Sequence, residues 1–204
     1  MTSRSDESLK PSLKLKEELR ALALANRDRQ QNREDLSRRI SERLTSLPEY
    51  KAATRLSIYI GGHSEVQTLP ILPPAWSLGK RIAVPCCVGD HLELFWLENV
   101  DELTPRTLGI LEPKDEIRRR RERRVDVTTL DLIVVPGVAF DRRGGRIGHG
   151  KRYYDKLLRK ARSDTVIVAL AFECQVFSEV PMLDHDVFMD KVLTEKAVYE
   201  CKRN

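Results

Sequence analysis

One glycine-rich stretch of the sequence combines residue types that suit the binding of a phosphate group. It runs from Pro136 to Asp155 and reads PGVAFDRRGGRIGHGKRYYD. Its glycines, which lack a Cβ and allow backbone N–H groups to approach a ligand closely, are Gly144, Gly145, Gly148 and Gly150. Arg146, Lys151 and Arg152 add positive charge, and a helix is expected to begin directly after them. N–H groups, a helix N-terminus and cationic side chains together predict a phosphate site.

A magnesium ligand is also expected at the end of this stretch. A carboxylate beside bound phosphates is what Mg²⁺ requires, and Asp155 supplies one. The spacing matches neither the GxxxxGK[ST] of P-loops nor the GxGxxG of dinucleotide-binding folds. An ordinary glycine-rich surface turn has a similar composition. The residues of this stretch alone therefore leave two interpretations open, a phosphate site and a surface turn.

The elements around this stretch are apolar segments of strand length. Leu130–Val135 precedes it and Val166–Phe172 follows it, and both are typical of strands buried on two faces. Further strands are predicted at Arg55–Ile60, Arg81–Val84, Leu92–Leu97 and Val187–Leu193, with a helix around Tyr153–Ala161. Strands that alternate with helices at this spacing indicate an α/β layered fold with a largely parallel sheet. In such sheets, ligands bind beyond the carboxyl ends of the strands.

The N-terminal part of the chain is predicted to be helical. Leucine and isoleucine recur at helical spacing from Leu13 to Leu47, and the polar stretch Asn26–Arg33 allows either one long helix or two. Lys16 and Arg20 lie one turn apart, so both side chains can reach one anion from the same face. Two solvated charges on a basic helix are the alternative.

Length and composition are those of a globular protein. The 204 residues are 41% hydrophobic and 33% charged, and we expect a disordered tail over residues 1–12 and a single α/β domain over 13–204. The longest uncharged apolar stretch, Leu132–Phe140, is too short to cross a bilayer. The N-terminus lacks the apolar segment of a secretory signal. We therefore expect no membrane association.

Charge and cysteine usage limit the remaining classes of function. The net charge is +5, and the segment Arg118–Arg124 (RRRRERR) carries that excess by itself. It contains no aromatic residue on which bases could stack, which favours a solvated surface over a nucleic-acid site. No CxxC spacing occurs among the cysteines, which are Cys86, Cys87, Cys174 and Cys201. This usage favours a reducing cytoplasm, and we expect a monomer.

The glycine-rich stretch and the strand before it resemble the signature of the 5-formyltetrahydrofolate cyclo-ligase family, also called methenyltetrahydrofolate synthetases. The family pattern is roughly a buried strand followed by PG-x-x-FD-x-x-G-x-RLG-x-G-x-GYYD. Other islands resemble the family in the same order: KEELR at 16–20, SEVQT at 64–68, GILEP at 109–113, AFECQ at 171–175, and HD…D…TE between 185 and 195. The resemblance thus extends from about Lys16 to Glu195.

This resemblance implies a fold and a reaction. The fold is a three-layer α/β/α domain with a mostly parallel mixed sheet. The reaction is the ATP- and Mg²⁺-dependent closure of 5-formyltetrahydrofolate to 5,10-methenyltetrahydrofolate, with release of ADP and phosphate. Because a formamide oxygen is a poor leaving group, ATP first phosphorylates it, and the folate N10 then closes the ring as phosphate departs. Positioning and charge neutralisation are expected to supply most of the acceleration.

The resemblance also implies roles for individual residues. The ATP contacts are Lys16, Arg20, Arg146, Ile147, Gly148, His149, Gly150, Lys151, Arg152, Tyr153 and Tyr154. The folate contacts are Ile60, Glu65, His149 and Tyr153. The catalytic residues are Arg146, Lys151 and Tyr153. The magnesium ligands are Asp155 and Asp186, with Asp190 as a weaker candidate.

Three positions depart from the family pattern. Arg152 stands where the family has a third glycine before YYD, His149 where arginine is frequent, and Gln67 where an acidic residue is usual. These changes keep a second hypothesis open, in which a paralogue binds nucleotide but acts on another substrate or is a non-catalytic binding module. Nucleic-acid association through the arginine run is a third, minor hypothesis.

Overall fold

The computed structural model describes residues 4–106 and 109–201, in which helices alternate with short strands. The helices are α1 (Arg4–Arg29), α2 (Arg33–Ser46), α3 (Pro48–Ala52), α4 (Leu72–Ser77), α5 (Asp115–Arg119) and α6 (Tyr153–Leu158). The strands are β1 (Arg55–Ile58), β2 (Arg81–Val88), β3 (His91–Leu97), β4 (Leu103–Pro105), β5 (Leu111–Pro113), β6 (Arg124–Val125), β7 (Leu132–Val135), β8 (Ala139–Asp141), β9 (Arg146–Ile147), β10 (Val166–Leu170), β11 (Val176–Phe177), β12 (Lys191–Leu193) and β13 (Val198–Glu200). None of the described helices has the length and apolar character needed to span a membrane.

Eight strands form one mixed sheet in the order β13-β12-β10-β7-β1-β2-β3-β6. The five strands from β12 to β2 run parallel, and antiparallel strands flank them at both edges. Two small sheets, β11-β8-β9 and β4-β5, complete the strand pairing of the described residues. The predicted mostly parallel mixed sheet is therefore confirmed.

The central strand β7 separates two apolar layers. Leu132 and Val134 pack on the side of α2 and α4, whereas Ile133 and Val135 pack on the side of α6. All four side chains are fully buried. Because successive side chains of a strand point to opposite faces, an uninterrupted apolar run requires helices on both sides of the sheet. The result is the three-layer α/β/α arrangement.

The N-terminal segment forms two helices rather than one. Residues such as Lys, Glu, Leu and Ala favour helix throughout α1, and the break comes at Asn32, whose φ of 54° lies in the left-handed region. Asparagine tolerates this conformation better than most residues. The structure also places residues 4–12, which we predicted as part of a disordered tail, in α1. Residues 1–3 lie outside the described residues.

Some strands were missed in the sequence. The stretch after β3, for which we predicted no strand, contains the β4–β5 hairpin, and β13 adds an antiparallel edge strand beyond β12. Each of these strands has three residues, and the first two end in proline. Such short segments show no readable alternation of polar and apolar residues. Only pairing with a neighbouring strand defines them.

The arginine run serves two purposes in the structure. The Arg123 guanidinium is buried and lies 2.8 Å from a carboxylate oxygen of Glu98 and 3.0 Å from one of Glu102. It is therefore part of the packing between β3 and the 3-10 turn at 121–123. Arg119, Arg120 and Arg121 are exposed, which fits the solvated surface that we predicted for this run.

The start of β1 is attached to β7 by Asp131. Its Oδ2 accepts hydrogen bonds from the N–H groups of Thr54 and Arg55 at 3.0 and 2.9 Å, and from the Thr54 hydroxyl at 3.0 Å. Burial alone would raise the pKa of Asp131, but these hydrogen bonds outweigh it and the pKa lies below its ordinary value of 3.8. The ionised form therefore stabilises the fold.

We expect Asp131→Asn to lower the free energy of unfolding at pH 7 by about 1–2 kcal/mol, because the amide loses charge-assisted acceptor bonds. A carboxyl whose pKa is depressed on folding contributes stability above its unfolded pKa and loses it as the pH falls through the folded pKa. The difference between variant and wild type should thus shrink below about pH 4. Urea unfolding from pH 7 to 3 measures this, with the exposed Asp101→Asn as control. A difference that is constant over this range would contradict the prediction.

Candidate functional site

A cavity of about 900 Å³ opens at the carboxyl ends of the central parallel strands. Tyr59 and Ile60 enter it directly after β1, Pro85 and Cys87 come from the end of β2, and Pro136 follows β7. This is the edge of an open α/β sheet at which loops diverge and leave space for a ligand. The fold therefore supplies the cavity in the place that the strand pattern predicted.

With one exception, the residues that the sequence analysis assigned to nucleotide, folate and metal line this one cavity. They are Lys16, Arg20, Ile60, Glu65, Arg146, Ile147, Gly148, His149, Gly150, Lys151, Arg152, Tyr153, Tyr154, Asp155 and Asp186. Asp190, the weaker metal candidate, is not among the lining residues, and its Oδ2 accepts the Ile167 N–H at 2.6 Å. The structure thus brings together residues from four distant segments, while their individual roles remain predictions.

Part of the glycine-rich stretch, residues 139–147, forms a β-hairpin that one buried carboxylate holds from inside. Asp141 is fully buried, and its two oxygens accept the N–H groups of Arg143, Gly145 and Val180 at 2.8–2.9 Å. Gly144 adopts a φ of 93°, and a Cβ there would lie 2.4 Å from the Met189 carbonyl oxygen. Asp141 therefore sets the turn that presents the loop to the cavity. We had not assigned it a role, although it is the acidic residue of the FD motif.

Helix α1 places two cationic side chains, those of Lys16 and Arg20, next to the loop that follows β9. Lys16 is almost fully buried and forms an ion pair with Asp186, which lies 170 residues away in the sequence. The Arg20 Nε donates a hydrogen bond of 2.9 Å to the Gly148 carbonyl oxygen. Their spacing of one helical turn therefore does let both side chains face one site, as predicted.

Arg146 is the most deeply enclosed cation of the loop. One of its terminal nitrogens lies 3.1 Å from Oδ1 of Asp155 in the first turn of α6, and the other donates to the Pro136 carbonyl oxygen at 3.3 Å. The guanidinium carbon also lies 5.6 Å from the centre of the Tyr154 ring. The Nε is buried without a hydrogen-bond partner among the described residues. The guanidinium is therefore held by protein contacts, and its Nε is enclosed rather than exposed to the cavity.

Glu65 is held by a network that sequence reasoning missed. Its Oε2 accepts the Gly62 N–H at 3.1 Å, and its Oε1 lies 3.8 Å from a terminal nitrogen of Arg27 and 3.7 Å from Nε2 of His149. Arg27 is buried, and its Nε donates to the Ser64 hydroxyl at 3.1 Å. Since Arg27 is one of many arginines on a basic helix, no sequence signal distinguished it.

Two tyrosines at the cavity are protonated at neutral pH. Burial raises the pKa of Tyr59 and of Tyr154 well above the ordinary value, and the nearby Glu65 carboxylate raises both further. The Tyr59 hydroxyl donates to the Val66 carbonyl oxygen at 3.2 Å. Both phenols therefore act as hydrogen-bond donors rather than as anions.

The two predicted magnesium ligands are paired with cations in this structure. Asp155 contacts Arg146, and Asp186 contacts Lys16. Within residues 4–106 and 109–201, no group of three or more His, Cys, Asp or Glu side chains is suited to hold a metal ion. Two carboxylates do suffice for Mg²⁺ when phosphates and water supply the other ligands. The donor set therefore fits a magnesium ion that is bound together with a nucleotide.

The fold and the site define a three-layer α/β protein with a cationic, glycine-rich cavity at the carboxyl edge of its sheet. The family model for the 5-formyltetrahydrofolate cyclo-ligase family matches residues 4–195, and the chain belongs to that family. The resemblance of the motifs is thereby confirmed.

Individual relatives agree with this assignment. The chain is 32% identical over 173 residues to a probable 5-formyltetrahydrofolate cyclo-ligase of Schizosaccharomyces pombe, covering 78% of this chain and 83% of the relative. It is 31% identical over 189 residues to the 5-formyltetrahydrofolate cyclo-ligase of Mus musculus, covering 89% and 90%. The NMR structure of Aquifex aeolicus 5,10-methenyltetrahydrofolate synthetase is similar with a TM-score of 0.79 at 33% identity, covering 93% of this chain and 94% of that one.

The departure at Arg152 has a structural consequence. This residue precedes α6 with a φ of 55°, the left-handed region in which an L-residue other than glycine is strained. Its side chain is exposed. The third glycine of the family pattern thus coincides with a backbone conformation that favours glycine.

We expect Arg152→Gly to raise the free energy of unfolding by about 0.5–1 kcal/mol. The relief of strain, about 1–2 kcal/mol, exceeds the gain in freedom of the unfolded chain, about 0.4–1 kcal/mol. Urea unfolding of variant and wild type measures this change. Lys151→Gly is the matched control, because Lys151 has no positive φ and should lose about 0.5 kcal/mol. Equal losses in both variants would show that the backbone at 152 is unstrained.

Proposed function

We propose that the chain catalyses the ATP-dependent closure of 5-formyltetrahydrofolate to 5,10-methenyltetrahydrofolate, with release of ADP and phosphate. One observation carries this proposal. The residues that the family resemblance assigns to nucleotide, folate and metal come from α1, from the end of β1, from the glycine-rich loop and from the segment around Asp186, and they converge on one cavity.

The cationic part of the cavity is suited to the phosphates of ATP. Lys16, Arg20 and Arg146 supply side-chain charge there, and the backbone from Gly148 to Lys151 forms the rim. The terminal nitrogens of Arg146, which contact Asp155 and the Pro136 carbonyl oxygen, are the donors proposed to turn to a phosphate oxygen. Since a polyphosphate is more highly charged than a carboxylate, it can compete for Lys16 and Arg146 with their present partners Asp186 and Asp155.

The folate is proposed to place its reacting end against the same loop, with Ile60, Glu65, His149 and Tyr153 in contact. Transfer of the γ-phosphoryl group to the formyl oxygen breaks the bond to the β-phosphate and releases ADP. The lone pair of N10 then adds to the activated carbon, the carbon–oxygen bond to phosphate breaks, and N10 loses its proton. Arg146 and Lys151 would neutralise the transferring phosphoryl group, and Tyr153 would orient the substrate.

Asp155 and Asp186 are proposed to hold a magnesium ion. When bound, Mg²⁺ supplies positive charge that neutralises the phosphates of the nucleotide. These two aspartates would also turn from partners of Arg146 and Lys16 into metal ligands, and would leave both cations free to contact phosphate.

We further propose that the chain is a monomer and that it is cytoplasmic. The second proposal is in line with its four cysteines, none of which is in a disulfide.

The reaction itself is tested by following the methenyl chromophore of the product. Purified protein with 5-formyltetrahydrofolate, ATP and Mg²⁺ should form it, whereas omission of ATP should prevent it. Measurable ATP binding without product would instead support the paralogue hypothesis, to which Arg152 and His149 give rise. Product formed at equal rates without nucleotide would refute the mechanism.

We expect Asp155→Asn and Asp186→Asn to raise the Mg²⁺ concentration for half-maximal turnover by about tenfold or more, since even indirect partners of a metal contribute tenfold to its affinity. The affinity for ATP measured without Mg²⁺ should fall by much less than the affinity for Mg²⁺, or should rise. The reason is that the neutral amides no longer compete with ATP for Arg146 and Lys16. The control is Asp164→Asn, a carboxylate paired with Arg162 on the surface. An unchanged Mg²⁺ requirement in both variants would exclude these aspartates as ligands.

A further inference from the structure

The cavity has a second wall that differs in chemistry from the glycine-rich loop. Pro85 and Cys87 of β2, Leu92 of β3, and Ile110 and Leu111 around the start of β5 supply mostly apolar surface. Walls of this kind accept the faces of a flat heterocycle, and a few polar groups at their edge then decide which heterocycle binds.

Glu112 is the carboxylate of this wall, and its hydrogen bonding is incomplete. Its Oε2 accepts a hydrogen bond of 3.2 Å from the Cys86 thiol. Burial and the neighbouring carboxylate raise the pKa of that thiol to about 12, so it stays a neutral donor. Among the described residues, Oε1 of Glu112 has no partner within hydrogen-bond distance, and no cationic side chain lies within 4.0 Å of either carboxylate oxygen. A thiol is a weak donor, so the carboxylate keeps most of its capacity to accept.

We propose that Glu112 accepts hydrogen bonds from the N3–H and 2-amino groups of the reduced pterin and thereby selects the pterin over heterocycles without these donors. The inference rests on the proposed function. The pyrimidine part of the pterin carries two adjacent N–H donors on one edge, and a carboxylate can accept both at once. Its flat faces suit the apolar side chains on either side of Glu112.

Glu65, the other glutamate that lines the cavity, is already committed. One oxygen of Glu65 accepts the Gly62 N–H, and the other lies within 3.8 Å of both Arg27 and His149. His149 belongs to the loop at which the formyl group is proposed to react. Glu65 therefore belongs to the reacting end, whereas Glu112 lies on β5 among apolar residues.

The test compares 5-formyltetrahydrofolate with an analogue in which a methyl group replaces the 2-amino group. Dissociation constants of both are measured by calorimetry, and turnover is followed beside them. Wild-type protein should bind the analogue about tenfold or more weakly, as expected when a hydrogen bond to a charged group is lost. This first comparison needs no variant.

In Glu112→Gln, binding of 5-formyltetrahydrofolate should weaken about tenfold, and the preference over the analogue should fall to about twofold or less. ATP binding should not change. Glu116→Gln, an exposed carboxylate of α5, is the matched control and should keep the full preference. Circular dichroism of each variant verifies folding.

Two results would overturn the inference. Either wild-type protein binds the two compounds equally, or Glu112→Gln retains the full preference, in which case another group reads that edge of the ring. The proposed function fails in a different way, through the absence of methenyl product from wild-type protein. The binding comparison does not depend on turnover, so it tests the role of Glu112 whether or not methenyl product is formed.

Discussion

Two buried ion pairs compensate the charges around the cavity. Lys16 pairs with Asp186, and Arg146 pairs with Asp155. A cation taken out of water without a partner would cost several kcal/mol, so a cavity lined by these cations also has to hold carboxylates. The same carboxylates suit a divalent cation. The arrangement that stabilises these charges is therefore also the one that the proposed magnesium–nucleotide complex would rearrange by exchanging partners.

The scaffold around these pairs serves to hold them at fixed positions. Asp141 fastens the hairpin that carries Arg146, and the first turn of α6 presents Asp155. Helix α1 spans the same edge and contributes Lys16 and Arg20. Because α1 contacts both the hairpin and the segment around Asp186, a change in its position would move both groups of residues that we propose to bind phosphate and metal. Rigid support of this kind is what catalysis by positioning requires.

The cavity has a cationic side and an apolar side, and the proposed pair of substrates, a nucleotide and a folate, would need both. Cations and backbone N–H groups stand on the side of the glycine-rich loop, and apolar residues with one underused carboxylate stand on the side of β2, β3 and β5. A phosphorylated nucleotide and a flat heterocycle have these complementary requirements. The departure from the family pattern at Arg152 affects the backbone, because its φ is positive. Its side chain is exposed, so it does not change the separation of the cavity into a cationic side and an apolar side.

The local sequence determined where the buried strands and the glycine-rich loop of this protein lie. The apolar run around Ile133 specifies a strand buried on two faces, and the glycines and cations after Pro136 specify a loop for an anion, because these properties depend on neighbouring residues alone. The motifs also identified many of the residues that line the cavity. Tertiary structure decided the rest: that Lys16 meets Asp186 across 170 positions, that Arg27 orients Glu65, and that a three-residue strand forms at β13. Such partners are chosen by packing of the whole sheet and its helices, which no local pattern encodes.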